Sequence, residues 1–203
     1  MALTIKIDQS DIDRIKNDLR NISNGMPLAV VRSINRVVDG VRTDMVEIAR
    51  TVYTVKATAA RKNITVRKAN TGDMTAWTES KGKPIPLIDF KVSPSSVQPK
   101  RKSLIQAEVI KGEKKPVHGQ FGHGGFVAVM PKNSKTQPAG HKGVFERKAS
   151  TRLHITELYG PRIEDLYARP ENQEKLQTGA DKRLMNELER QTDYIFKQRN
   201  GLL

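Results

Sequence analysis

Over 203 residues the chain carries 36 Lys and Arg against 22 Asp and Glu, a net charge of +14, with 36% hydrophobic and only 5% aromatic residues. It has no cysteine, which excludes disulfides, thiolate metal centres and a cysteine nucleophile, and fits use in a reducing cytoplasm. No apolar run reaches the roughly 18 residues of a membrane span, the N-terminus turns polar too early for a signal peptide, and the cationic excess points to a polyanion or an acidic protein surface as partner.

Leu3, Ile5 and Ile7 alternate with polar residues and predict a short strand or arm over residues 1–8. The period then changes. Ile12, Ile15, Leu19 and Ile22 fall three and four apart and predict an amphipathic helix, capped by Ser10 and ended by Ser23-Asn24-Gly25. Pro27 stands where a second helix begins, a position at which its missing N–H costs nothing. From there Val31, Ile34, Val38, Val41, Met45, Ile48 and Val52 recur at alternating spacings of three and four. Residues 27–52 therefore read as a rod of about 25 residues, roughly 37 Å long, with one apolar seam. Its opposite face carries Arg32, Arg36, Arg42 and Arg50. A further turn or two follows Thr54, through Ala57, Ala59 and Ala60, with Arg61 and Lys62 at the end that favours cations.

The middle of the chain has strand character. Ile64-Thr65-Val66, Met74-Thr75-Ala76-Trp77 and the stretch from Ile85 to Val92 are expected strands. Ile105, Ala107 and Val109 alternate with Gln106, Glu108 and Ile110. Phe126 to Met130 is a nearly continuous apolar run, expected as a fully buried strand, and Val144-Phe145 begins another. Turn chemistry at Lys81-Gly82-Lys83-Pro84, Ser93-Pro94-Ser95-Ser96 and Gly119 to Gly125 separates them, which favours an antiparallel sheet. Gly160-Pro161 is expected to open a short helix carrying Ile163 and Leu166, and Arg169-Pro170 to stop it. Leu184, Leu188 and Ile195 mark a last amphipathic helix from about Asp181 to Lys197. The order lacks a βαβ rhythm and implies an α+β class: an N-terminal helical hairpin with a long second helix, a central antiparallel β-sheet with long basic loops, and a C-terminal helix. We expect one domain, with a helical arm over 1–63, a β body over 64–159 with flexible loops near 93–103 and 111–143, and C-terminal helices over 160–203.

No catalytic, cofactor-binding or metal-ligating set emerges. The segment His118-Gly119-Gln120-Phe121-Gly122-His123-Gly124-Gly125-Phe126 has glycines that free backbone amides for an anion, but neither P-loop nor dinucleotide spacing, and is read as a mobile hairpin loop. His118, His123, His141 and His154 supply no spacing for three converging zinc ligands. Glu157, Glu164 and Asp165 have no nucleophile-elbow context beside them. The remaining signal is cationic: Lys100-Arg101-Lys102, Lys111, Lys114-Lys115, Lys132 with Lys135, and Arg147-Lys148 lie in or beside loops. With Arg32, Arg36 and Arg42 they are candidate contacts for an acidic partner. The aromatics are not interleaved with these cations as a base-stacking platform requires.

Three stretches resemble the phage minor tail protein Z family. They are Ser33-Ile34-Asn35-Arg36-Val37 with Val55-Lys56 and Ala60-Arg61-Lys62; Gly140-His141-Lys142-Gly143-Val144-Phe145-Glu146-Arg147; and Ile155-Thr156-Glu157-Leu158-Tyr159-Gly160-Pro161. Arg162 stands where members often have Ser after the Gly-Pro. The resemblance makes Asn35, Arg36, Gly143, Phe145, Arg147, Gly160 and Pro161 the family-like structural positions. It implies a non-enzymatic virion protein of a tailed bacteriophage, assembled in the host cytoplasm and located in the tail or neck. Its partners would be copies of itself in a ring, a hexamer by analogy, the tail terminator or tail tube, and the head connector. Packaged DNA is an alternative, non-specific partner for the cations, and no membrane partner is expected. The alternative reading from charge alone is a basic, non-specific DNA-binding protein of phage or prophage origin.

Overall fold

The computed structural model describes residues 2–5, 25–80, 82–98, 104–131, 140–149 and 154–199. The predicted helix over 10–23 lies outside the described residues. The chain packs as two compact units: Met1–Val46 with Arg61–Lys81 and Glu164–Leu203, and Glu47–Ala60 with Gly82–Ile163.

The first unit contains strand β1 (Ala2–Ile5) and most of helix α1 (Gly25–Val52), which runs for 28 residues. The predicted seam of α1 is too narrow. Ile34, Val38, Val41 and Met45 are buried as expected, but so are Ala29, Val30, Ser33, Val37 and Val46, while Val31 is half-buried. A band that wide belongs to a helix covered on more than one side. One side meets the turn around Ala69, where Asn35 holds the backbone in both directions: Ala69 N–H donates to Asn35 Oδ1 at 2.7 Å, and Asn35 Nδ2 donates to Ala69 O at 3.0 Å. The other side meets the C-terminal helices, with the buried Tyr167 hydroxyl donating to Met45 O at 2.9 Å.

Helix α2 (Ala57–Lys62) leads into β2 (Ile64–Arg67) and β3 (Ala76–Ser80). These strands and β1 make an antiparallel sheet of order β1-β3-β2, with Leu3 and Val66 both opposite Thr78. Strand β3 starts two residues later than the sequence implies. Asn70 Oδ1 accepts from the amides of Gly72 and Asp73, and Asp73 Oδ1 from that of Thr75, so the side chains hold a turn where the strand was expected. Helix α3 (Glu164–Tyr167) and helix α4 (Pro170–Arg199) complete the unit. Pro170 ends α3 and also opens α4, eleven residues before the predicted start at Asp181. Its buried row is Leu176, Ala180, Leu184, Leu188, Thr192 and Ile195. Before Leu184 that row offers only one large apolar residue, Leu176, too little periodicity to read.

In the second unit the β body divides into two three-stranded antiparallel sheets. One has the order β4 (Lys91–Ser93), β5 (Gln106–Glu108), β6 (Lys114–Pro116); the other β7 (Phe126–Met130), β8 (His141–Arg147), β9 (Ile155–Glu157). The long strand expected over Ile85–Val92 is broken. Ile85 O accepts from Gly160 N–H and Leu87 N–H donates to Leu158 O, and then a 3-10 turn over Leu87–Asp89 redirects the chain. Pro84 and Pro86 have no N–H to extend a ladder. Strand β7 is an edge rather than a buried centre: only Val127 is buried, and Val129 is 54% exposed. The core here is Ile85, Leu87, Phe90, Val92, Ile105, Val117, Val144, Phe145 and Ile163.

Candidate interaction surfaces

Helices α1 and α4 meet through a row of charges. Glu187 lies between two guanidinium groups, with Arg36 Nε at 3.3 Å and Arg190 Nη2 at 2.6 Å. Further along, Arg183 forks onto Asp44, with Nη2 2.8 Å from Oδ1 and Nη1 also bonded to Oδ2. This bonding to Asp44 raises the Arg183 pKa above its ordinary value. Gly40 makes the approach possible, since a Cβ there would sit 3.2 Å from the Arg183 stem. Beside this row a shallow cleft of about 460 Å³ is lined by Arg32, Asn35, Arg36, Asp39 and Gln191. A neighbouring one of about 280 Å³ is lined by Arg36, Arg190, Gln191 and Tyr194. Arg32 and Arg36 are thus on one exposed face, whereas Arg42 is half-buried and donates from Nη2 to Arg61 O at 2.9 Å.

The glycine-rich loop closes on a carboxyl group, and it is the protein's own. Glu146 is fully buried, and its Oε1 accepts from the backbone amides of Phe121 at 3.0 Å and His123 at 3.1 Å. Gly119 lies flat against the same carboxylate: a Cβ on it would be 1.8 Å from Oε2. The loop is therefore bonded to β8 through Glu146. Gly122 (φ 77°) supplies the left-handed residue the turn needs.

The family-like positions of the second unit are packing devices. At Gly143 a Cβ would meet Glu157 Oε1 at 2.7 Å and the Phe145 ring at 2.9 Å, so glycine lets Glu157 cross β8 to reach His141 Nε2 at 2.7 Å. Tyr159 donates to the other oxygen of Glu157 at 3.0 Å, and partial burial together with that carboxylate raises the Tyr159 pKa. Phe145 is buried against Phe126, with ring centroids 6.3 Å apart, and Arg147 stands 5.5 Å above the Phe126 ring. Gly160 is pressed to the Phe90 ring, where a Cβ would fall 2.4 Å from a ring carbon, and its N–H is bonded to Ile85. That occupation is why the helix does not begin at Gly160-Pro161 but at Glu164.

Lys111, Lys114 and Lys115 are exposed on the β5–β6 hairpin. Lys115 pairs with Glu113 at 2.6 Å, and Lys91 with Glu108 at 2.6 Å. The Lys91 bond, then the Gly112 amide, lower the Glu108 pKa. Lys100, Arg101, Lys102, Lys132 and Lys135 lie outside the described residues. Among the described residues no three His, Asp or Glu side chains cluster to hold a metal ion. None of the described helices is long and apolar enough to cross a membrane.

The profile of the prophage minor tail protein Z family matches residues 12–198. The chain belongs to this family. It is accordingly a structural protein of a phage tail. Comparison with curated proteins and with solved structures gives no match. Glu146, a lone acid in an apolar strand, carries no periodic signal in the sequence. Its one visible clue was the amide-rich glycine loop that now encloses it. The Arg183–Asp44 and Arg36–Glu187 pairs were equally hidden, being 139 residues apart in the first case.

Proposed function

We propose that this tail protein is the tail-completion subunit, a ring of six copies at the head-proximal end of the tail that joins the tail tube or terminator to the head connector. Family membership supports a place in the tail, and α1 carries the rest of the reading. It is a 28-residue rod clamped over its middle turns by Asn35, Arg36, Arg42, Asp44 and Met45, the construction of a stave rather than of a reaction site. The Arg32–Arg36–Arg190 face and the lysines of the β5–β6 hairpin are the surfaces we assign to acidic partners. Packaged DNA is the second reading for the same cations, favoured by the net charge of +14. Quantitative mass spectrometry of purified virions tests the proposal. Six copies per particle are expected, and a protein found in the host cytosol but never in particles refutes it.

A further inference from the structure

The three described sheets have six edge strands: β1, β2, β4, β6, β7 and β9. A free edge presents unpaired N–H and C=O groups to any passing strand, and proteins guard such edges with charge, proline or brevity. Four of the six are guarded in this way. Strand β2 carries Arg67, β4 carries Lys91, β9 carries Glu157, and β6 is Lys114-Lys115-Pro116. Strands β1 (Ala-Leu-Thr-Ile) and β7 (Phe-Val-Ala-Val-Met) have no charged residue. On β7 the guard is missing where it matters most, because Val129 is more than half exposed beside an outer edge that pairs with no described strand.

We propose that β7 of one copy adds to β1 of a second copy of this chain, so that successive subunits are joined by strand pairing. This rests on the ring reading above and names the contact that would build it. Three observations favour a second copy as the occupant. The two unguarded edges match in chemistry, both uncharged and both rich in strand-forming residues. They match in length, five residues against four. Each copy also has one of each, so every subunit gives one edge and receives one. That is a heterologous contact, the kind that closes into a ring, whereas β7 pairing with another β7 stops at a two-fold dimer. The joined sheet has the order β2-β3-β1-β7-β8-β9, and six strands is a common size where three are a bare minimum. Main-chain bonds supply the affinity, and the charges on the guarded edges exclude those strands as partners.

The test uses the full chain with a lysine placed on one edge at a time, Val129→Lys or Thr4→Lys, and Val97→Lys as an exposed control on neither strand. Molar mass is read by light scattering during size exclusion, with circular dichroism to check that each variant is folded. Wild type and Val97→Lys should form the same ring. Each edge variant alone should run at the monomer mass of 22.8 kDa. Mixed, they should give a one-to-one dimer and nothing larger, because the mixture retains one good β7 and one good β1. Wild-type rings from either edge variant, or no dimer on mixing, overturn strand pairing while leaving the ring reading standing. A wild type that is monomeric at every concentration overturns both. Hydrogen exchange supplies an independent readout without substitutions: amides of β1 and β7 should slow on assembly, and unchanged rates contradict the proposal.

Discussion

Replacing Gly119 by alanine tests how the glycine-rich loop is held. The new Cβ would lie 1.8 Å from Glu146 Oε2 and 2.1 Å from Cδ, a distance no carbon and oxygen can share. The carboxylate has nowhere to retreat, because Glu146 is fully buried and its Oε1 is already bonded to the Phe121 and His123 amides. Relief therefore requires the loop to lift off and give up both bonds. A hydrogen bond contributes roughly 0.5–1.5 kcal/mol net, so at the high end the two together put the loss near 3 kcal/mol. In a chain of this size that corresponds to a fall in melting temperature of roughly 6–12 °C. The assay is thermal and urea unfolding of wild type, Gly119→Ala, Glu146→Ala and the double variant. Because the cost arises from one contact, Gly119→Ala should be far milder in the Glu146→Ala background, a coupling of about 2 kcal/mol or more. Equal costs in both backgrounds would refute the reasoning and leave Gly119 as an ordinary flexible residue.

Asn35→Ala removes both bonds between α1 and the Ala69 turn and should destabilise by about 2 kcal/mol in urea titration; an unchanged midpoint would show that the clamp is not needed. Arg183→Ala should cost only about 1 kcal/mol despite its forked geometry, because the pair is partly solvated, with side chains 41% and 25% exposed. High salt should shrink that difference further. Burial pushes the Tyr167 hydroxyl far above its ordinary value of 10.0. Folded protein thus keeps a proton that unfolded protein releases, and stability falls as pH rises past 10.0. Tyr167→Phe should flatten that decline between pH 9 and 11, and identical slopes in the two proteins would rule the linkage out.

Much of the architecture is legible in the sequence because it rests on local periodicity. Helix α1 is written in its apolar spacing and in Pro27, and β2 and β5 follow from short runs between turn residues, whereas β8 begins at His141, three residues before the expected Val144. What stays hidden depends on contacts distant in sequence. The width of the buried band on α1 is set by neighbours on two sides, which a single stripe cannot report. The early start of α4 is obscured because the residues from Pro170 to Ala180 bury little. The break in the strand expected over Ile85–Val92 goes with Pro84 and Pro86, visible as residues but not as a topology. Among the site residues, Gly143 and Gly160 stood out through resemblance to the family, and only the structure gives the cause: a carboxylate crossing one and a ring pressed to the other. Arg32 and Arg36 were readable as a cationic face. The partner of Arg36, Glu187, was not, since nothing in either helix alone announces which faces will meet.

Density for the intact head–tail junction of the virion tests the central claim most directly. A ring of six copies at the top of the tail is expected, each with the 28-residue α1 as an unbroken rod and with the β7 edge of one copy beside β1 of the next. A junction filled by other proteins, with this chain elsewhere in the tail or in no ring, would contradict it.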